Sequence, residues 1–165
     1  MEGGNVKLIN IEEIMNMLDW HMSPEIQSKG IALAKNIESI IPFIQPITER
    51  YNKNVWENCA IIIASKSDEE LTPHLAKLLD WLQDMNWPGA LIILERLKLF
   101  SGENLIKPFI DRFTYAINLN NEEGLMWLDC LSEFLDNKDL KSKLPNSVIE
   151  DLQNHYKNWG FWYDD

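Results

Sequence analysis

No apolar run in this chain approaches the roughly 18 residues a membrane-spanning helix needs. Residues 1–10, MEGGNVKLIN, carry no apolar core of the kind a secretory leader has. Both absences point to a cytoplasmic protein without a membrane partner. Cysteine is nearly missing. Cys59 and Cys130 form no Cys-x-x-Cys pair, and each sits in an apolar run, NCAIII or LDCLSEF. That excludes a disulfide framework and predicts two buried free thiols. Of the three histidines, His21, His74 and His155, no two stand at metal-ligand spacing, and there is no His-Glu-x-x-His. Phosphate-cradling glycine loops and Gly-x-Ser-x-Gly elbows are also absent. The expectation is therefore no metal, no cofactor and no catalytic residue. Strand signals are scarce too, because apolar–polar alternation is weak and no Asn-Gly or Asp-Gly turn occurs.

Positive charge is the last shortage. Fifteen Lys and Arg face 26 Asp and Glu, for a net charge of −11 across 165 residues. Residues 121–165 hold 10 acids and 4 Lys, and 10 − 4 leaves −6 there. Such a field repels phosphate backbones, which argues against nucleic acid and suits a basic protein partner.

Helical signals are abundant. In SDEELTPHLAKLLDWLQD, Leu71, Leu75, Leu78, Leu79 and Leu82 recur at helical spacing. Ser67 with Glu70 reads as a capping box, Ser23-Pro24 as an N-cap followed by proline, and Asn146 or Ser147 with Glu150 as a second box. Acid pairs such as Glu12/Glu13 and Glu122/Glu123 fall at helix starts, where they complement the helix dipole. The patterns predict helices over 10–21, 24–37, 39–51, 54–65, 68–84, 87–100, 103–118, 121–136 and 147–158. Linkers are short, so residues 1–165 read as a single domain.

The helices repeat in pairs. IIPFIQPIT, LTPHLAKLL and IKPFIDRFT align on Pro42, Pro73 and Pro108, spaced by 31 and 35 residues, and Pro145 lies 37 further on. Each of the first three follows another apolar helix. One pair cannot bury its apolar face alone, but stacked pairs can. The reading is an all-α, right-handed α-solenoid of about four HEAT-like helix pairs with an N-terminal capping helix. YNKNVWENCA, QDMNWPGALI and INLNNEEGLMW would be the turns between pairs, aligned on Asn54, Asn86 and Asn120. This pattern resembles HEAT-like repeat proteins. It departs from them in one respect: Glu57 and Gly89 stand near where those repeats often carry a basic residue.

Residues 66–110 resemble a small bacterial family of HEAT-like proteins known as domain of unknown function 5071, chiefly through LLDWLQDMNWPGA. Weaker likeness runs from about 54 to 136. The resemblance implies a fold and no activity.

Seven tryptophans are many for this length, and most are expected to pack between pairs. In QDMNWPGA, Pro88 is expected in the first turn of the next helix, with Trp87 as the packed residue whose loss costs about 3 kcal/mol or more. The C-terminal HYKNWGFWYDD reads as a lid over the last repeat or as an aromatic interface. Second helices of stacked pairs usually line a concave face. Here they offer His74, Lys77, Asp80, Asp84, Asp111, Arg112 and Tyr115 as a protein-binding surface. The leading expectation is a non-enzymatic binding module, for example an immunity protein neutralising a basic toxin. The alternatives are a HEAT-like nucleic-acid enzyme of the DNA glycosylase kind, or a structural and oligomerising unit.

Overall fold

Asn10 opens the first helix. Its side chain accepts from the Glu13 N–H, and α1 runs over Ile11–Met17. The computed structural model describes residues 10–46 and 51–155, and every regular element among them is helical. Helix α2 spans Pro24–Ala34, with Ser23 accepting from the Ile26 N–H and Pro24 at the first position. Then come α3 (Trp56–Ala64), α4 (Asp68–Leu71), α5 (Leu75–Asp80), α6 (Ala90–Lys98), α7 (Ile106–Leu119), α8 (Glu122–Ser132), α9 (Lys138–Lys143) and α10 (Asn146–Asn154). The capping box of Ser67 and Glu70 forms as the sequence indicates.

Several helices are shorter than their apolar patterns. The expected helix over 39–51 is a single 3-10 turn at Ile41–Phe43 across its described part. Pro42 and Pro46 deprive that stretch of two N–H donors, so a regular ladder cannot run through it. The expected helix over 68–84 breaks at Thr72–His74. Pro73 cannot donate to Glu69, and the Thr72 hydroxyl donates to the Asp68 carbonyl. The sequence reading missed α9, a two-turn helix started by Asn137, whose side chain accepts from the Leu140 N–H. Pro145, not Asn146 or Ser147, precedes α10, and no side chain caps the N-terminus of that helix. The tail from 156 onward, with the aromatic cluster expected to be a lid or an interface, lies outside the described residues.

One continuous apolar core runs from Ile14 to Leu152. Helix α1 packs on α2, α2 on α3, α3 on α6, α5 on α7, α7 on α8, and α8 on α10. Along one edge the intervening loops are tied to each other. The buried Lys66 ammonium donates to the Lys35 carbonyl (2.9 Å) and the Ile37 carbonyl (3.1 Å). Arg96 donates to the Lys66 carbonyl (2.8 Å) and pairs with Asp68 (2.7 Å). Asp68 accepts from the Ser101 N–H, and Asp139 from the Gly102 N–H. Buried Asn137 donates to the Phe100 carbonyl at 2.8 Å. Lys66, Arg96 and Asn137 thus reach back 31, 30 and 37 residues, close to the helix-pair spacing in the sequence.

The corner QDMNWPGA sits on chain turns of the same kind. Asp84 accepts from the Asn86 N–H, and the fully buried Trp81 indole donates to the Pro88 carbonyl at 3.1 Å. Helix α6 begins at Ala90, so Pro88 lies in the turn and not in the helix. Gly89 is the N-cap residue with φ 86°. A Cβ there would stand 2.7 Å from the Ala60 Cβ and 2.9 Å from the Trp56 carbonyl oxygen, so α3 and α6 meet only over glycine. Trp87 is only half-buried and meets Trp56 edge-on, centroids 6.1 Å apart. A similar close approach joins α7 to α8, where a Cβ on Gly124 would lie 2.4 Å from the Ala116 oxygen.

Candidate functional site

Ala76 and Asp80 are four residues apart, so they share one side of α5, and α7 packs there. Arg112 of α7 reaches across with Nε 2.8 Å from Asp80 Oδ1 and 3.4 Å from the Ala76 carbonyl oxygen. Burial pushes the Asp80 carboxyl above its ordinary value, and the Arg112 guanidinium opposes that only in part. Two of the seven residues assigned to the surface are therefore spent largely on each other, tying α5 to α7. Asp84 is half-buried in the corner it caps. Half-buried His74 is held below its usual range by desolvation and then by Lys77.

Lys77, Asp111 and Tyr115 face solvent. The Tyr115 ring is 54% exposed and stands edge-on to buried Trp127, with centroids 5.9 Å apart. Trp127 is itself fixed by donation to the Leu79 carbonyl at 3.3 Å. The outward part of this face thus has a rigidly backed tyrosine with Asp111 one turn before it on α7. Asp80 and Arg112 form its half-buried floor.

Other exposed features were not foreseen. Trp20, expected to pack between helices, is 47% exposed on the α1–α2 loop, with Met22 and Ile26 exposed beside it. Leu91 on α6 is 60% exposed and Leu99, just past its end, 79%. They border an open groove of about 650 Å³ lined also by Ala64, Ile92, Glu95, Lys98 and Asp136. Apolar periodicity missed both, because one exposed leucine or tryptophan reads like one more core position.

The buried groups are chemically quiet. Cys59 and Cys130 are buried free thiols as expected, and burial pushes Cys130 up to about 12 and Cys59 higher still. His155 is buried and joins the end of α10 to Asp129 of α8. Among the described residues no three His, Cys, Asp or Glu side chains gather as a metal site would require. No described helix is long and apolar enough to cross a membrane.

Charge is allocated unevenly. Lys66, Arg96, Lys98, Arg112 and Lys143 are all engaged in ion pairs within the molecule. Lys98 alone faces Glu95, Glu133 and Asp136. By contrast Glu13, Glu25, Glu57, Glu69, Glu103, Asp111, Glu122, Glu123, Glu150 and Asp151 are exposed, and none is ion-paired among the described residues. Lys29, Lys35, Lys53, Lys77, Lys107, Lys138 and Lys141 are likewise exposed and outside ion pairs among the described residues, so the acids outnumber them and the surface keeps a net negative charge.

No curated protein and no solved structure matches this chain. Residues 57–157 match a family described as Domain of unknown function (DUF5071). That stretch runs from the second residue of α3 through α10, with the corner at Gly89 and all seven residues of the α5–α7 face, and on that match the chain belongs to this family.

Proposed function

We propose that the chain is a non-enzymatic protein-binding module built from stacked, HEAT-like helix pairs, with a basic protein as partner. The observation that carries this is the charge allocation. The chain carries −11 overall, and among the described residues the exposed carboxylates outside ion pairs outnumber the exposed lysines outside them. A surface so arranged draws cationic partners and speeds their encounter. The recurring loop-to-loop bonds near the 31–37-residue spacing support the stacked-pair reading, in which α5 and α7 are second helices of neighbouring pairs. Tyr115, with its rigid aromatic backing, is suited to anchor a partner at the centre of that face. An immunity protein that neutralises a basic toxin is one function of this chemistry.

The test is calorimetric titration of the full chain with the products of genes flanking its own. The expected result is saturable binding to a basic product, weakened about tenfold by Asp111→Lys or Tyr115→Ala with the fold intact by circular dichroism. Binding that persists unchanged in both variants would remove the α5–α7 face from the reading. Failure of every basic product to bind would remove the basic partner.

A further inference from the structure

The loop between α1 and α2 carries an exposed tryptophan on a backbone that is bonded almost throughout. The Trp20 N–H donates to the Asn54 carbonyl at 3.0 Å, and the Met22 N–H to the Asp19 carbonyl at 2.9 Å. Gln27 Nε2 donates to the Met22 carbonyl at 2.7 Å and the Trp20 carbonyl at 3.3 Å. Buried Asn58 donates to the Leu18 carbonyl at 2.7 Å and to Gln27 Oε1 at 2.9 Å. Asp19 accepts from the His21 N–H at 2.8 Å and from Asn54 Nδ2 at 3.4 Å. The His21 ring stands edge-on to the Trp20 ring, centroids 6.3 Å apart. Burying an indole here would not order the loop further, since the loop is ordered already, and this removes a usual cost of binding.

We infer that Trp20, flanked by Met22 and Ile26, is a preformed anchor for an arginine- or lysine-bearing segment of a basic partner protein. Among the described residues the indole N–H makes no hydrogen bond, and the half-exposed ring leaves indole surface open to a cation. Charge favours the same occupant. Described residues up to 57 hold six acids (Glu12, Glu13, Asp19, Glu25, Glu38, Glu57) against Lys29, Lys35 and Lys53, so 3 − 6 leaves −3. Asp19 remains ionised beside the ring, held low chiefly by the His21 N–H. The anchor lies before the family-matched stretch of 57–157. It rests on the basic-partner reading given above.

The test uses the full chain and the peptide acetyl-(Arg-Ala)4-amide as probe. The Trp20 indole resonance is assigned by its loss in Trp20→Phe and followed by nuclear magnetic resonance during titration. The expected result is a saturable shift of that resonance, affinity lowered about tenfold in Trp20→Ala and largely retained in Trp20→Phe. Trp20 is half exposed, so both variants are expected to stay folded, as checked by circular dichroism. Peptide binding that leaves the Trp20 resonance unmoved and is equal in Trp20→Ala would overturn the anchor while sparing the basic-partner reading. No binding of the peptide to any part of the chain would overturn the anchor, while the basic-partner reading stands or falls by the titration with the flanking gene products. Self-association that depends on Trp20, detected by sedimentation, would assign the anchor to a second copy and overturn the proposal as well.

Discussion

Replacing Gly89 with alanine is expected to lower stability by at least about 2 kcal/mol, because left-handed backbone strain and overpacking act together. The methyl would press on Ala60 and on the Trp56 carbonyl, both backed by α3. Urea midpoints of the two proteins measure this directly. The neighbouring tryptophans divide the corner differently from the expectation at the sequence level. Trp81 is fully buried and bonds the Pro88 carbonyl. Trp81→Ala should therefore cost about 3–5 kcal/mol. Trp87 is half-buried with one edge-on ring contact, so Trp87→Ala should cost only about 1–2 kcal/mol. The sequence marked the corner correctly, since Asn, Pro and Gly together signal a turn. It did not show which tryptophan is inside. That depends on where α3 crosses α6, a tertiary fact carried by Gly89 and Ala60.

At the level of elements, the ties between loops matter most. Arg96→Met removes a donor from the Lys66 carbonyl and a partner from Asp68, and should destabilise by about 2 kcal/mol. Asp68 adds a pH signature. Burial raises its pKa, but the Ser101 N–H and the Arg96 guanidinium outweigh that and hold it below the usual value. A depressed folded pKa gives stability that is present above the unfolded value of about 3.9 and lost as pH falls through the folded one. Asp68→Asn should therefore lower stability near neutral pH and flatten its acid decline, as read from urea midpoints between about pH 3 and pH 7. Asp80 has the opposite sign: its raised pKa favours the fold at low pH and ceases to do so as pH rises through the folded value. The helices themselves were largely legible, because Leu71 to Leu82 and the Ser67–Glu70 box are local signals. The break at Pro73 was legible in principle, since a missing N–H there was written in the sequence. Helix α9 was not, because its six residues contribute one buried apolar side chain, Leu140. Lys66 and Arg96, 30 residues apart, were visible as a spacing, but basic residues ordinarily read as solvated.

For the whole molecule, the net charge and the helical class could be read from composition and periodicity. Which charges remain available could not, because that depends on pairs such as Arg112 with Asp80 and Lys98 with its three acids. Of the surface expected on α5 and α7, Lys77, Asp111 and Tyr115 are free to meet a partner, while Asp80, Asp84 and Arg112 mainly hold the structure. Trp20 was hidden by the same ambiguity that makes any tryptophan resemble core. The most direct measurement is a pair of calorimetric titrations of the full chain near physiological salt, one with the arginine–alanine peptide and one with a duplex DNA. Saturable peptide binding that weakens as salt rises, with no heat from the duplex, is the predicted result. Tight binding to the duplex and none to the peptide would contradict it.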